Sequence, residues 1–137
     1  MSKEENLSIG RRYVEGINTG SPDPALFAEG FVYNNPQGVV MDFNGSQAVL
    51  KLFNAALPDH NTSVEDEIVS DDRIVYRWIT RGTHDGDFFG VPPTGKQLIS
   101  RGMTIIRVDD GKIAELWESI DILGLMQQMG AIPSPGG

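Results

Sequence analysis

Cysteine is absent from the 137 residues of this chain. Disulfides, thiolate nucleophiles and thiolate metal sites are therefore excluded. Histidine is scarce: His60 and His84 are the two, and neither has a partner histidine at helical spacing, so no metal site is expected. Positive charge is also sparse, with 11 Lys and Arg against 19 Asp and Glu, for a net charge of −8. An acidic chain repels phosphate backbones. The adjacent pair Arg11–Arg12 sits inside a helical pattern and reads as a solvated face, so nucleic acid is not an expected partner. Long apolar runs are missing too: no stretch approaches the roughly 18 residues a membrane span needs. The opening "MSKEENLSIGRRYV" has neither the apolar core nor the cleavage site of a signal peptide, and the expectation is a cytoplasmic protein without membrane contact.

What is present fits one folded domain spanning residues 1–137, since 39% hydrophobic content supplies one core and no repeat or linker divides the chain. Leu7, Val14 and Ile17, with Tyr13 beside them, predict a helix from residue 4 to about 18. "NTGSPDP" breaks it, and "PALFAEGF" predicts a short second helix with Asp23 as N-cap and Pro24 at its first position. "FVYNN" and "VVMDF" are short strand candidates. Val49, Leu50, Phe53 and Leu57 share one face of a third helix from Ser46 to about Leu57. Strands follow: "TSVEDEIVS", "RIVYRWITRGTH" and "QLISRGMTIIRV", with "DDG" as a hairpin turn into "KIAELWESID". "ILGLMQQMG" predicts a helical turn before a loose "AIPSPGG". Helices first and long neighbouring strands after predict an α+β fold: a curved, mainly antiparallel sheet with helices on one side.

Strand periodicity assigns faces. Tyr76, Trp78, Thr80 and His84 share a phase before the loop. In the last strand Ile113, Glu115, Trp117, Ser119 and Asp121 share a phase if no bulge intervenes, which turns Glu118 to solvent. Polar groups scattered among aromatics are the composition of a ligand pocket rather than of a core face. Plain alternatives stand beside this: Trp78 and Trp117 as core, His84 as a satisfied structural histidine, and Asp121 as the N-cap of the following turn. Arg77, Arg81, Arg101 and Arg107 are expected in surface cross-strand pairs. The stretch "DGDFFGVPPTGK" is expected to be the pocket mouth, with Phe88 or Phe89 turned inward, the other towards a second subunit, and His84 at the inner edge.

The ordered motifs "GTHDGDFFGVPPTGK", "IIRVDDGKIAELWESID" and "GLMQQMG" resemble the SnoaL-like polyketide cyclase family, within the broader nuclear-transport-factor-like cone fold. The resemblance runs from "YVEGINTG" to "QQMGAIP" and implies a cone-shaped α+β barrel around an apolar cavity, commonly as dimers or tetramers. It implies that Asp121 is the acid/base and that His84 is the motif histidine. It also places Asn35, followed by Pro36, and Tyr13 at the cavity. Where some cyclases resemble "D-W-P-D", this chain reads "ESID". The implied chemistry is a cofactor-independent lyase or isomerase reaction. A base removes an acidic proton between two carbonyls, and the carbanion closes a ring on a small apolar, carbonyl-rich ligand walled by Trp78 and Trp117. His84 would assist at the developing oxyanion. Two other functions fit the same composition. One is a ligand-binding protein without chemistry. The other is an epoxide hydrolase or epoxide-opening cyclase, which needs a second cavity carboxylate from among Asp42, Asp59 and Glu115.

Overall fold

The structure, a computed structural model, describes residues 2–133; the last four residues of "AIPSPGG" lie outside them. Helix α1 spans Lys3–Thr19. Ser2 caps it, its hydroxyl accepting from the Glu5 amide at 3.0 Å. The predicted second helix is a correction. Only Pro24–Leu26 is helical, as a single 3-10 turn capped by Asp23, and Phe27–Asn34 is strand β1. Ala, Leu and Glu favour a helix locally, but Phe27 and Phe31 pack edge to face in the core at 4.8 Å while Phe27 and Val32–Asn34 pair with the last strand. Tertiary packing overrides propensity here.

Strand β2 is Val40–Met41. Helix α2 is Phe43–Ala56, starting earlier than expected because Asp42 caps it, accepting from the Gly45 amide at 2.8 Å. Strands β3 (Asn61–Val69), β4 (Arg73–Thr83), β5 (Gln97–Asp109) and β6 (Lys112–Ile120) follow, then helix α3 (Ile122–Gln128). The β5–β6 turn is the expected hairpin, with Asp110 at φ 49° and Gly111 at φ 75°.

The sheet has six strands in the order β2-β1-β6-β5-β4-β3. β1 runs parallel to β6 and every other pair is antiparallel, so the sheet is mixed. Among the described residues both ends are free edges. The cone is therefore a bent open sheet roofed by helices rather than a closed barrel. Register slips between Phe27 and Val32, Val64 and Asp66, and Arg107 and Val108 bend it. Helix α1 is pinned over the sheet at both ends. Asn6 donates to the carbonyls of Ser70 and Asp71, and Asn18 bonds both backbone groups of Thr62. One apolar cluster joins α1 to the sheet through Ile9, Val14, Ile74 and Ile106; a second gathers Leu57, Phe88, Leu98 and Leu125. No helix among the described residues is long and apolar enough to cross a membrane.

Candidate active site

Between α1, α2 and the helix-covered face of the sheet lies a cavity of about 590 Å³, within the range of small-molecule sites. Its walls are mainly apolar, with Val14 and Ile17 from α1, Phe27 and Phe31 from β1, and Val49 and Phe53 from α2. No lysine, arginine or histidine is among the lining residues. The apolar face of α2 anticipated from sequence is thus a cavity wall, and only Ala56 of that helix is fully buried.

The charged group in the deep part of the cavity is Glu118. Between Ile113 and Glu115 the β5–β6 ladder skips Ala114, because Val108 pairs with Ile113 and Arg107 with Glu115. That extra residue inverts the phase of the rest of β6. Leu116, Glu118 and Ile120 then face inward, while Glu115, Trp117 and Ser119 face outward. The Tyr33 hydroxyl donates to Glu118 Oε1 at 2.9 Å. Burial raises the Glu118 pKa from its ordinary value, and the Tyr33 hydrogen bond opposes part of that rise. Tyr13, Tyr33 and Tyr76 are all buried around this carboxylate. Burial, then the Glu118 charge, push each phenol's pKa up, so they remain neutral hydrogen-bond donors.

The expected inward phase of β6 is accordingly corrected. Trp117 lies on the outer face, with the Arg73 guanidinium 5.9 Å from its ring centroid, and is not among the residues lining this cavity. Glu115 is on that face too, bonded to Arg107 at 3.3 Å and to Asn34 at 3.1 Å. Asp121 is exposed and outside the cavity lining. Its Oδ1 accepts from the Gly124 amide at 2.8 Å, which makes it the N-cap of α3. Sequence reasoning missed Glu118 because strict alternation was counted through the bulge.

The phase of β4 holds. Tyr76, Trp78 and Thr80 are buried and line the cavity. His84 is fully buried as well, but lies outside the lining. Its Nδ1 meets Thr94 Oγ1 at 2.9 Å and accepts from the Thr94 amide at 3.3 Å. It holds the base of the loop, where its backbone bonds Lys96 and Gly95. The loop itself reaches the cavity. Phe88 and Val91 exchange backbone bonds at 3.0 and 2.9 Å around a two-residue turn, with Phe89 at φ 49° and Gly90 at φ 78°. Both phenylalanines line the cavity, their ring centroids 4.7 Å apart. Asn35 lines it too, though its side-chain Oδ1 accepts from the Gln37 and Val39 amides and serves the local turn. Arg107 makes the cross-strand pair expected of it; among the described residues Arg77, Arg81 and Arg101 make none.

Of the carboxylates an epoxide-opening reaction could recruit, Asp42 caps α2, Asp59 is bonded to Thr83 on the surface, and Glu115 is on the outer face. None of the three lines the cavity; the second carboxylate in its lining is Asp87, on the loop at the mouth. What the deep end can do is proton transfer: one desolvated carboxylate, neutral phenols beside it, and flat apolar walls.

Known proteins share this architecture. The family model for the SnoaL-like polyketide cyclases matches residues 8–129. Aklanonic acid methyl ester cyclase DnrD of Streptomyces peucetius is 28% identical over 96% of this chain and 95% of its own length. DauD of Streptomyces sp. strain C5, of the same description, is 28% identical over 96% of this chain and 86% of its own. Among solved structures, AclR of Streptomyces galilaeus superposes with a TM-score of 0.89 at 23% identity, covering 98% of this chain and 86% of that one. IdmH of Streptomyces antibioticus superposes at 0.80 with 29% identity, covering 90% and 97%. With the helix-roofed sheet, its cavity and a family match over nearly all of the described residues, this chain belongs to the SnoaL-like polyketide cyclases.

Proposed function

We propose that the protein is a cofactor-independent cyclase. It closes a ring in a small, neutral, carbonyl-rich polyketide by an intramolecular aldol-type step, with Glu118 as the acid/base. The observation that carries this reading is a single deep carboxylate, held by Tyr33, in an apolar cavity lined by no cation. The Glu118 carboxylate takes a proton from the carbon between two carbonyls, and those carbonyls spread the charge. The carbanion forms a carbon–carbon bond to an aldehyde or ketone carbon of the same molecule. The resulting alkoxide recovers a proton, so no electron leaves or enters. Neutral phenols of Tyr13 and Tyr76 are placed to donate to the developing oxyanion. Desolvation brings the carboxylate's basicity closer to what the step needs. Asp121 keeps its cap, and His84 shapes the mouth rather than touching the ligand.

Neutrality of the substrate follows from charge. A free carboxylate inside this cavity would face Glu118 with no positive partner. The relatives DnrD and DauD are described as acting on a methyl ester, which meets that condition. The same reading takes the chain as a homodimer, because the sheet face away from the helices leaves Ile68, Met103 and Ile105 exposed. Sedimentation velocity giving a single species of one chain's mass would remove the dimer.

The test offers aklanonic acid methyl ester to wild type, Glu118→Gln and Asp121→Asn, and follows product by chromatography and deuterium uptake at the acidic carbon. Turnover by wild type, a loss of about 10²–10⁴ in Glu118→Gln and little change in Asp121→Asn are expected. Binding without turnover by wild type would leave a carrier instead of a catalyst. Full activity in Glu118→Gln would end the assignment of the base.

A further inference from the structure

We infer that Thr62 and Thr80, backed by the buried Ser100, form a second polar subsite, at the far end of the cavity from Glu118, that receives a phenol hydroxyl on the substrate's distal ring. The inference rests on the cyclase reading above and adds to it the ligand's second anchor and its length.

The three residues stand in one row across three strands. Thr62 of β3 lies opposite Thr80 of β4, and Thr80 lies opposite Ser100 of β5. Thr62 and Thr80 line the cavity. Their hydroxyl oxygens are 2.6 Å apart, so one proton of the row goes into that bond. Ser100 is 1% exposed on the helix-covered face, and its Oγ has no partner. Buried hydroxyls are normally satisfied, and an unsatisfied one beside a cavity calls for an explanation. A ligand oxygen at this row supplies one: it can accept from the threonine hydroxyl whose proton is not committed, and the hydroxyl network can then extend towards Ser100.

The row is held in place. Asn18 of α1 accepts from the Thr62 amide at 2.7 Å and donates to the Thr62 carbonyl at 2.9 Å, which ties this edge-strand residue to the roof of the cavity. The space between the two polar ends is apolar and flat. Trp78 stands on β4 between Tyr76 and Thr80, on the same face. Its indole N–H is already given to Thr104 Oγ1 at 2.9 Å, so the ring is a wall and not a donor. The ring fits because position 102 is glycine; a Cβ there would collide with it.

The ladders give the spacing. Glu118 pairs with Thr104, and Thr104 with Tyr76. Thr80 is four residues further along β4. The two ends are thus separated by roughly 13 Å along the strands and roughly 10 Å across them, less where the sheet bends. A ligand that touches both is elongated, on the order of three fused rings long.

The experiment uses the Trp117→Phe protein, which leaves Trp78 as the one tryptophan reporter. Anthraquinone and 2-hydroxyanthraquinone are titrated against it at about pH 6, where the phenol is neutral. The hydroxylated probe should bind about tenfold more tightly. Adding Thr80→Val should reduce that preference to within about twofold, Thr80→Ser should retain it, and Glu118→Gln should leave it unchanged. A preference that survives Thr80→Val, one that vanishes in Glu118→Gln, or equal affinity for both probes overturns the subsite while leaving the cyclase reading standing. Failure to bind either probe overturns the flat-ring reading and the subsite with it. If Thr80→Val does not fold, Thr62→Val takes its place, and retention of the full preference there is the overturning result.

Discussion

Glu118 and Asp121 stand three residues apart at the end of β6 and the start of α3, and their surroundings share almost nothing. Glu118 faces a cavity walled by aromatics and aliphatics, takes one hydrogen bond from a buried phenol, and has its pKa raised by desolvation. Asp121 is exposed and accepts from a helix N-terminal amide. The functional group is the same. Its exposure decides whether it is suited to proton transfer, the role proposed for Glu118, or to holding a backbone. The contrast has an energetic side as well, because a carboxylate kept out of water costs stability whenever it is ionised, while a capping carboxylate contributes stability.

Replacing Glu118 with Gln should break the comparison most visibly. Beyond the loss of turnover, the variant should be more stable than wild type at neutral pH. The folded pKa of Glu118 lies above its unfolded value near 4.5, so folding favours the protonated form. At pH below that unfolded value the native carboxyl is neutral and carries no penalty. As pH rises through the folded pKa, wild type loses stability that the Gln variant keeps. Melting curves should therefore coincide near pH 4 and diverge by a few degrees near pH 7. Curves that stay together at both ends would mean that Glu118 is well solvated.

Tyr33→Phe sharpens the same point with a smaller effect. The Tyr33 hydroxyl lowers the Glu118 pKa against the rise from burial. Without it the carboxyl ionises at higher pH, and the acid limb of kcat/KM should move upward. At neutral pH the loss should be about tenfold, in line with a hydrogen bond to a charged group. A fall in rate with an unmoved pH profile would show the phenol acting on the substrate and not on Glu118.

At the other carboxylate the measurable quantity is stability. Asp121→Ala removes the cap of α3 and should cost about 1 kcal/mol, whereas Asp121→Asn, an equally good cap, should cost almost nothing. Helix α3 matters to the rest of the fold because Leu125 is fully buried and the Gln128 amide bonds both backbone groups of Ile99. Denaturant midpoints for the two variants separate capping from charge. Loss of activity in Asp121→Asn with unchanged stability would return the acid/base role to Asp121.

The sequence was legible where the ladder runs without interruption. Between Ile74 and Gly82, β4 pairs with β5 one for one, and alternation there places Tyr76, Trp78 and Thr80 on the cavity side. On β6 a single extra residue, Ala114, defeats the same rule. A clue was present: the apolar residues Ile113 and Leu116 stand three apart, and a regular strand would turn one of them to the outer face. Counting back from the strand's far end, through Ile120, brings Glu118 inward. Helix "PALFAEGF" failed for another reason. Besides the two-residue β2, the partner of β1 is β6, far along the chain, and a pairing that distant leaves no local trace. His84 was placed on the right face, but the loop closes its ring onto Thr94, a contact that strand phase does not contain.

The mouth offers the finest comparison, between two turns of one geometry. Asp110–Gly111 and Phe89–Gly90 both place two successive residues at positive φ, at 49° and 75° in the first and 49° and 78° in the second. Aspartate tolerates that conformation, whereas a bulky aromatic is strained there by on the order of 1 kcal/mol. Phe89 is 37% exposed, and its main return is contact with the Phe88 ring, of the order of 0.5–1.5 kcal/mol. In Phe89→Asn the relief of strain and the lost contact should nearly cancel, leaving stability within about 0.5 kcal/mol of wild type. KM should nonetheless rise by about three- to tenfold, because the ring that closes over the cavity is gone. Chemical denaturation and steady-state kinetics on the same preparation read both quantities. An unchanged KM would show that Phe89 serves only its own turn, and a stability loss well above 1 kcal/mol would show that ring contact, not ligand closure, keeps a phenylalanine at this position.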